Sequence, residues 1–265
     1  MMSPDILPKD VAVTTSLSAD DEVVLRAQRV AVELECPYVV RGDESLSEVR
    51  QKSGREVLLV FTGTEVRLVS ADDVFWYHPN MARTRIECAL HGEADRLARY
   101  AELGEGDRFL DATCGLGADA TVMAHVVGDS GHVTAVEASH VLAVMVREGK
   151  QIYTHRTQAL IEAMRRVEVV SANSLSYLES LPDNAYDVVY FDPMFEGTLD
   201  RSQGLDLVRK LACKDTLSRA MVEQGRRVAS KWVVVKDRVP GRTLAEFGCS
   251  DVSVRGRLCY GRIGP

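Results

Sequence analysis

The chain has 265 residues and a net charge of −7, and 46% of its residues are hydrophobic. This composition is typical of globular proteins and excludes collagen-like, disordered and disulfide-rich chains. No hydrophobic run approaches the ~18 residues that a membrane span needs, and no basic, apolar leader opens the sequence, so we expect no membrane association.

The six cysteines form no CxxC pair and have no histidine at the spacing of zinc ligands. This pattern predicts reduced thiols, no metal site and a cytoplasmic location. The sequence carries no indication of an oligomeric state.

The first 77 residues predict a short tail followed by a small α/β module. Residues 1–10 contain two prolines and show no periodicity, which indicates a flexible tail. Residues 11–77 alternate between the spacing of strands and that of helices. The predicted elements are a strand at Val11–Thr15, a helix over Asp20–Leu34 capped by Ser18, a strand at Tyr38–Val40, a helix over Glu44–Gln51, and a hairpin of Val57–Phe61 with Glu65–Val69.

Residues 78–105 predict one long helix that links this module to the rest of the chain. Apolar residues recur at helical spacing across Met81–Leu103. Gly104 and Gly106 end the helical pattern.

Residues 106–265 form the largest predicted domain. Strand and helix signals alternate here, which predicts a parallel α/β sheet covered on both faces. The last two strands abut at Gly256 without room for a helix and are therefore predicted to pair antiparallel. The predicted strands are Arg108–Ala112, His132–Glu137, Val167–Ala172, Val188–Phe191, Trp232–Lys236, Val252–Arg257 and Leu258–Ile263, with helices over Ala118–Val127 and Ser139–Ile152.

A glycine-rich turn follows the first strand of this domain. Glycines in such a turn let the backbone approach a ligand and aim amide groups at it, which points to Gly115 and Gly117. A dinucleotide-binding turn or a purely structural turn would show the same glycines. Asp111 favours another ligand, because its carboxylate would attract an ammonium group and repel a pyrophosphate. We therefore predict a positively charged cofactor here, with Thr113 and Asp119 also in its site.

Polar residues also end the next two strands. Glu137, followed by Ala138, could accept hydrogen bonds from ribose hydroxyls, although a surface glutamate at a helix start is an alternative. Asn173 and Ser174 follow the third strand, where Asn173 could meet an adenine edge or cap a helix over Ser176–Leu181. We include all four residues in the predicted cofactor site.

The strongest chemical signal is the run Asp-Pro-Met-Phe after the fourth strand. The strand delivers Asp192 to the carboxyl edge of the sheet, where open α/β folds bind ligands, and Pro193 forces an extended turn. The Asp192 carboxylate and a free carbonyl could hold both N–H groups of a planar amine while Phe195 stacks on its ring. An ordinary Asp-Pro turn is the alternative.

The order of these motifs resembles the ribosomal small-subunit methyltransferase J family. The resemblance covers Arg108 to Gly261 and is most specific in Asp-Pro-Met-Phe and Val-Val-Val-Lys. Members of that family are S-adenosylmethionine-dependent enzymes that modify guanine N2 in 16S ribosomal RNA. The resemblance implies a seven-stranded class I methyltransferase sheet, Rossmann-like, with an antiparallel last strand, preceded by the small α/β module.

The resemblance also implies roles for individual residues. Asp192, Pro193 and Phe195 would form the pocket of the target base, and Lys236 matches the family's lysine, although an exposed lysine at a strand end is an alternative. S-adenosylmethionine, which leaves as S-adenosylhomocysteine, would be held by Asp111, Gly115, Gly117 and Glu137. The implied partner is ribosomal RNA or the small ribosomal subunit.

One departure from the family affects the substrate. Family members carry a basic, glycine-rich stretch where this chain has His78–Arg85. With the acidic net charge, this leaves open a methyltransferase that acts on a small molecule or protein. An NAD-binding oxidoreductase or a non-catalytic nucleotide-binding module is a third interpretation.

Any nucleic-acid binding must use a local basic patch, because phosphate backbones attract Lys and Arg and this chain is acidic. Scattered solvated charges are an equally good interpretation of each candidate group. The candidates are Arg83 with Arg85, Arg226 with Arg227, and Arg255 with Arg257 and Arg262.

Overall fold

The computed structural model describes residues 8–79, 81–154, 157–193, 205–213 and 216–265. Its strands are β1 Val11–Thr15, β2 Val57–Phe61, β3 Val66–Val69, β4 Val74–Trp76, β5 Arg108–Asp111, β6 His132–Glu137, β7 Val167–Ser171, β8 Tyr186–Phe191, β9 Ala229–Arg238, β10 Ser250–Arg255 and β11 Leu258–Ile263. Its helices are α1 Asp21–Glu33, α2 Leu46–Ser53, α3 Ala82–Leu90, α4 Arg96–Tyr100, α5 Ala118–Val127, α6 His140–Ile152, α7 Gln158–Arg166, α8 Ser174–Ser180, α9 Leu205–Leu211, α10 Arg219–Val228 and α11 Arg242–Glu246. Within these ranges, no helix has the length and apolar character to cross a membrane.

The elements belong to two compact units. The first contains β1 to β4 with α1, α2, α6 and α9, and the second contains all the other elements. The first unit therefore takes in a helix, α6, whose neighbours in sequence, β6 and α7, belong to the second. The continuous domain boundaries expected from the sequence stay a prediction.

A four-stranded sheet in the order β1-β2-β3-β4 forms the first unit. The strands β1 and β2 pair parallel, and β2, β3 and β4 pair antiparallel. Every residue of β1 and β2 is buried, because α1 and α2 turn apolar faces toward this sheet. The predicted hairpin is confirmed.

Two expectations for the first unit were wrong in detail, and one strand was missed. The side chain of Asp20 caps α1 by accepting from the Val23 amide, so Ser18 is not its cap. Tyr38 makes only an isolated bridge to Val13 instead of lying in a strand. The short strand β4 was not predicted, because its three residues are too few to show the alternation of a strand.

The seven-stranded sheet of the second unit has the order β10-β11-β9-β8-β5-β6-β7. The five strands from β9 to β7 run parallel, and β11 pairs antiparallel with β9 and with β10. Fully buried residues in β5, β8 and β9 show why these strands read as continuous apolar runs. The predicted α/β sheet with its antiparallel last strand is confirmed.

The single helix predicted across Met81–Leu103 is two helices, α3 and α4. His91 ends α3, and Gly92 adopts a positive φ of 90° that breaks the helical path. The Asp95 side chain then caps α4 by accepting from the amides of Leu97 and Ala98. The apolar spacing continued through this break, which is why the sequence pattern did not reveal it.

Helix α6 packs closely against Tyr77 of the same unit at Gly149. A methyl group on this glycine would lie 2.4 Å from a ring carbon of Tyr77. We expect Gly149→Ala to lower the free energy of unfolding by about 2 kcal/mol because of this overlap, although alanine normally favours a helix by about 1 kcal/mol. Chemical denaturation should detect the loss.

Gly63→Ala is the matched control, since its added methyl meets nothing within 4 Å. Equal effects of the two substitutions would contradict the close packing of α6 on Tyr77.

Candidate functional site

The carboxyl ends of the central strands bring the predicted site residues to one edge of the second unit's sheet. Asp111 in β5 pairs with Ala135 in β6 and with Tyr190 in β8. Phe191 pairs with Val235 in β9. Because these strands are parallel, the residues that follow them lie side by side, and Glu137, Asp192 and Lys236 share this edge with Asp111. These four were separated by up to 125 positions in the sequence.

The glycine turn after β5 is held by hydrogen bonds at both ends. The Thr113 amide donates to Asp111 Oδ1 at 3.1 Å, and the Gly115 amide donates to Glu137 Oε2 at 2.8 Å. Gly115 and Gly117 both have positive φ, 54° and 73°, and Gly117 begins α5. A Cβ on Gly115 would meet no atom within 4 Å, so the turn borders open space that a ligand could occupy.

The other residues predicted for the cofactor site have local roles. Asn173 Oδ1 accepts from the amides of Leu175 and Ser176, so this side chain caps α8. The Ser174 hydroxyl donates to the Ala112 carbonyl at 2.6 Å and so ties the start of α8 to the start of the glycine turn. Half-buried Ala138 directly follows Glu137. Contacts of Ala138, Asn173 and Ser174 with a cofactor stay predictions.

The Asp-Pro corner is fixed to the glycine turn. The Asp192 amide donates to Thr113 Oγ1 at 2.6 Å, which gives the Thr113 side chain a structural role in addition to its predicted one. Lys236 Nζ donates to Asp192 Oδ2 at 2.7 Å. Pro193 is half-buried, and Phe195 lies outside the described residues. The corner thus presents a carboxylate whose position is set by β9 and by the turn after β5.

Lys236 belongs to a buried ion network centred on Asp119 in the first turn of α5. Asp119 Oδ2 accepts from Lys236 Nζ at 3.2 Å and from the Tyr190 hydroxyl at 2.9 Å. Asp119 Oδ1 accepts from the Arg85 guanidinium, which also forms two hydrogen bonds to Asp95. The cofactor contact predicted for Asp119 stays a prediction, but both of its oxygens already have protein donors.

The network shifts the pKa values of its two carboxyls, Asp119 and Asp192, in opposite directions. Burial raises the pKa of Asp119, but the charges of Lys236 and Arg85 outweigh burial and hold it well below its usual value. Burial raises the pKa of Asp192, and Lys236 only partly offsets the effect of burial and of the Asp119 charge. The pKa of Lys236 is raised although burial opposes this, because Asp119 and Asp192 favour its charged form.

Asp111 stands apart from these pairs. Its side chain is buried, and its pKa is well above the usual value because of burial and the nearby charge of Asp119. The Thr113 hydrogen bond offsets only part of this rise. Asp111 is therefore a buried acid that gains stabilisation from an added cation.

The edge as a whole carries more acids than bases. Asp119 and Asp192 contact Lys236, and Asp111 and Glu137 lie along the same edge at the ends of β5 and β6. The other nearby cation, Arg85, also neutralises Asp95. A ligand that bears positive charge fits this set of acceptors, whereas a pyrophosphate would be repelled. The ammonium contact of Asp111 and the ribose contact of Glu137 stay predictions.

Several arginines proposed from the sequence for nucleic-acid binding form ion pairs or hydrogen bonds with other residues of the protein. Arg85 lies in the ion network, Arg83 pairs with Glu87, and Arg262 pairs with Glu102 and Asp251. Arg226 donates to the carbonyls of Gly264 and Pro265, and Arg227 to those of Leu178 and Leu181. The structural role of Arg85 was missed because its partners are distant in sequence, and nothing in the local pattern distinguishes it from Arg83.

The ion network yields a prediction about stability. Asp119→Asn should lower the free energy of unfolding by about 3 kcal/mol at pH 7, because it leaves the charges of Lys236 and Arg85 undercompensated. The pKa of Asp119 is lowered on folding, from 3.8 to about 2, so its contribution is present above the unfolded pKa. The difference from wild type should therefore shrink as the pH falls from 4 toward 2, as denaturant titrations at several pH values would show.

Asp183→Asn is the control, since Asp183 pairs with Arg227 but its side chain is 71% exposed. A loss of about 1 kcal/mol or less is expected there. Equal losses at the two positions would contradict a buried network.

Comparisons with known proteins agree with this geometry. Residues 52–253 match the family described as "Putative SAM-dependent methyltransferase". The chain is 34% identical over 236 residues to "Uncharacterized protein YpiP" of Bacillus subtilis (strain 168), which covers 89% of this chain and 92% of that protein.

A second relative has a named activity but a shorter match. The "Ribosomal RNA small subunit methyltransferase J" of Acinetobacter baumannii (strain ACICU) is 34% identical over 122 residues, which amounts to 45% of this chain and 41% of that protein. Among solved structures, the SAM-dependent methyltransferase NGO1261 from Neisseria gonorrhoeae aligns over 96% of each chain with a TM-score of 0.63 and 16% identity, a similarity of fold. The chain belongs to the family of SAM-dependent methyltransferases, and its cofactor is S-adenosylmethionine.

Proposed function

We propose that this methyltransferase transfers its methyl group to the exocyclic amine of a guanine in 16S ribosomal RNA. The observation that carries the proposal is the Asp192-Pro193 corner, where Lys236 holds one carboxylate oxygen of Asp192 at 2.7 Å. Such a corner suits a planar amine with two N–H groups to donate. The partial match to the methyltransferase J proteins supports an RNA target.

In this proposal the cofactor lies at the glycine turn. Asp111 would hold its ammonium group, Glu137 its ribose hydroxyls, and the open space at Gly115 would admit its body. The cofactor supplies an electrophilic methyl group on a positively charged sulfur. The surplus of carboxylates at this edge favours that charge.

Asp192 positions the amine. Its Oδ2 accepts from Lys236, and within the described residues no donor meets its Oδ1, which leaves Oδ1 for an amine N–H. The Pro193 carbonyl is the second acceptor proposed for the amine, and Phe195 would stack on the base. Two acceptors fix the plane of the amine, so its nitrogen lone pair can turn toward the methyl carbon.

The amine nitrogen must lose one proton during the reaction. When the amine nitrogen forms its bond to the methyl carbon, the electron pair of the carbon–sulfur bond stays on sulfur, and the nitrogen carries one proton too many. That proton is acidic and passes to Asp192 or to water, so a strong base is unnecessary. Lys236 acts as a positioning residue that keeps Asp192 ionised and oriented.

Two of the interpretations that the sequence left open are excluded, and one stays open to test. Membership of the methyltransferase family overturns the NAD-dependent oxidoreductase and the non-catalytic module. A small-molecule or protein substrate is an alternative outcome of the substrate test below, because the chain carries a net charge of −7.

Asp111 should lower the stability of the cofactor-free protein and raise its affinity for the cofactor. Its raised pKa means that folding disfavours its ionised form. This penalty is absent below the unfolded pKa, grows as the pH rises from there to the folded pKa, and is constant above it. We expect Asp111→Asn to raise the melting temperature of the cofactor-free protein at pH 7 while weakening S-adenosylhomocysteine binding about 10- to 100-fold. Differential scanning calorimetry and titration calorimetry measure the two effects.

The control is Asp72→Asn, which alters an exposed loop carboxylate. A variant at Asp111 that binds S-adenosylhomocysteine as tightly as wild type would contradict the ammonium site.

Lys236 should set the pH dependence of the reaction. Because its charge lowers the pKa of Asp192, Lys236→Met should raise that pKa and move the acid limb of the kcat profile to higher pH. Asp192→Ala should reduce kcat by at least ~100-fold with cofactor affinity within about threefold of wild type. Single-turnover rates between pH 5 and 9 provide the test, and an unshifted acid limb in Lys236→Met would contradict the positioning role.

The substrate is tested by incubating the enzyme and tritiated S-adenosylmethionine with small ribosomal subunits from a strain that lacks this gene. We expect label in 16S RNA as N2-methylguanine, and no label with subunits from the parent strain. Label confined to protein or to small molecules in a cell extract would replace the RNA proposal with the alternative.

A further inference from the structure

The second unit contains a cleft with a volume of about 400 Å³. One wall is α4 and the other is the edge strand β10. Its lining residues are Arg96, Arg99, Tyr100, Ser253, Val254 and Arg255, which we call the arginine cleft.

The strand register connects the arginine cleft to the proposed catalytic residues. Ser253 in β10 pairs with Tyr260 in β11, which pairs with Lys236 in β9. Cross-strand partners share one face of a sheet, and neighbouring strands lie about 4.8 Å apart. The floor of the cleft is therefore about 10 Å from the Lys236 backbone, on the face and edge where Lys236 contacts Asp192.

Arg96 is fixed in the cleft without a carboxylate. Its Nη2 donates to the Ser253 carbonyl at 2.7 Å, and its guanidinium lies 4.7 Å from the centre of the Tyr260 ring. These contacts are to neutral groups, so they hold the side chain without cancelling its charge. The result is a preorganised cation in the cleft wall.

The charges of Arg99 and Arg255 are also uncompensated. Both side chains are exposed, and neither forms an ion pair with any described carboxylate. The neighbouring acids have their own partners, since Asp95 pairs with Arg85 and Asp251 with Arg262. Three arginines without acidic partners form a concentrated positive site on a protein whose net charge is −7.

We propose that the arginine cleft binds backbone phosphates of the RNA strand that carries the target guanine. Guanidinium groups bind phosphate oxygens in forked pairs, and such contacts fix the register of a nucleic acid without reading its sequence. A separation of about 10 Å from Lys236 suits phosphates one or two nucleotides from a base seated at Asp192. This inference rests on the proposed RNA substrate and adds the surface that positions it.

The test compares two double variants that change the charge equally. Arg99→Glu with Arg255→Glu alters the cleft, and Arg219→Glu with Arg242→Glu alters exposed arginines that have no described acidic partner and lie outside it. Affinity is measured by filter binding of 16S RNA at several salt concentrations, with S-adenosylhomocysteine titrations and melting temperatures as checks on the fold. Arg99→Gln with Arg255→Gln is the milder version, for use if the charge reversal lowers the melting temperature.

We expect the cleft variant to weaken RNA binding at least tenfold relative to the control variant and to raise the KM for small subunits with little change in cofactor affinity. The slope of log affinity against log salt should fall by about 1.4, or ~0.7 for each lost single-strand phosphate contact. Methylation by the cleft variant with wild-type KM and salt slope would overturn the cleft while leaving the RNA substrate intact. A wild-type enzyme that neither binds nor methylates RNA would overturn both. A cleft variant that loses affinity for polyglutamate, a probe for acidic protein, but keeps wild-type affinity for RNA would overturn the RNA assignment of the cleft.

Discussion

The site depends on one buried interaction, the ion network in which Lys236 lies between Asp119 and Asp192. Asp119 has one oxygen for Lys236 and Tyr190 and the other for Arg85, so α3, α5, β8 and β9 meet at a single carboxylate. Removing water from such charges costs free energy, and this cost is offset only where each charge has partners in good geometry. The network thereby fixes the position of the carboxylate at the Asp-Pro corner.

The remaining carboxylates explain why the edge suits a positively charged cofactor. Asp111 is buried beside the network without a cation of its own. Burial and the nearby charge of Asp119 raise its pKa. A protein optimised only for stability would not keep such a residue. Keeping it makes sense if the missing charge arrives with the ligand, and membership of a SAM-dependent family supplies a ligand of that kind.

The same sheet edge links chemistry to substrate positioning. From Lys236 the register runs through Tyr260 to Ser253, so the proposed catalytic corner and the arginine cleft share one face. Of the arginines proposed from the sequence, Arg255 alone lines this cleft, whereas Arg85 and Arg262 bind acids of the protein itself. The structure also singles out Arg96 and Arg99, which no sequence motif marked.

The large-scale fold was predictable because strand and helix signals alternate along residues 106–265, and because β8 and β9 contain the continuous apolar runs of buried parallel strands. The strand ends were predictable for the same reason, which is how Asp111, Glu137 and Asp192 were placed together. Hydrogen bonding between distant residues has no such signature. The sequence offered Asn173 either as a helix cap or as an adenine contact, and the structure shows the cap. The break between α3 and α4 and the packing of α6 in the first unit became clear only from the coordinates.

The most direct test of the proposed site is a crystal structure of the enzyme with S-adenosylhomocysteine and an RNA fragment that contains the target guanine. We expect the cofactor's ammonium group beside Asp111 and the guanine amine within hydrogen-bond distance of Asp192 Oδ1, with Lys236 still bound to Oδ2. A guanine amine bound away from Asp192, or a cofactor whose ammonium group lies elsewhere, would contradict it.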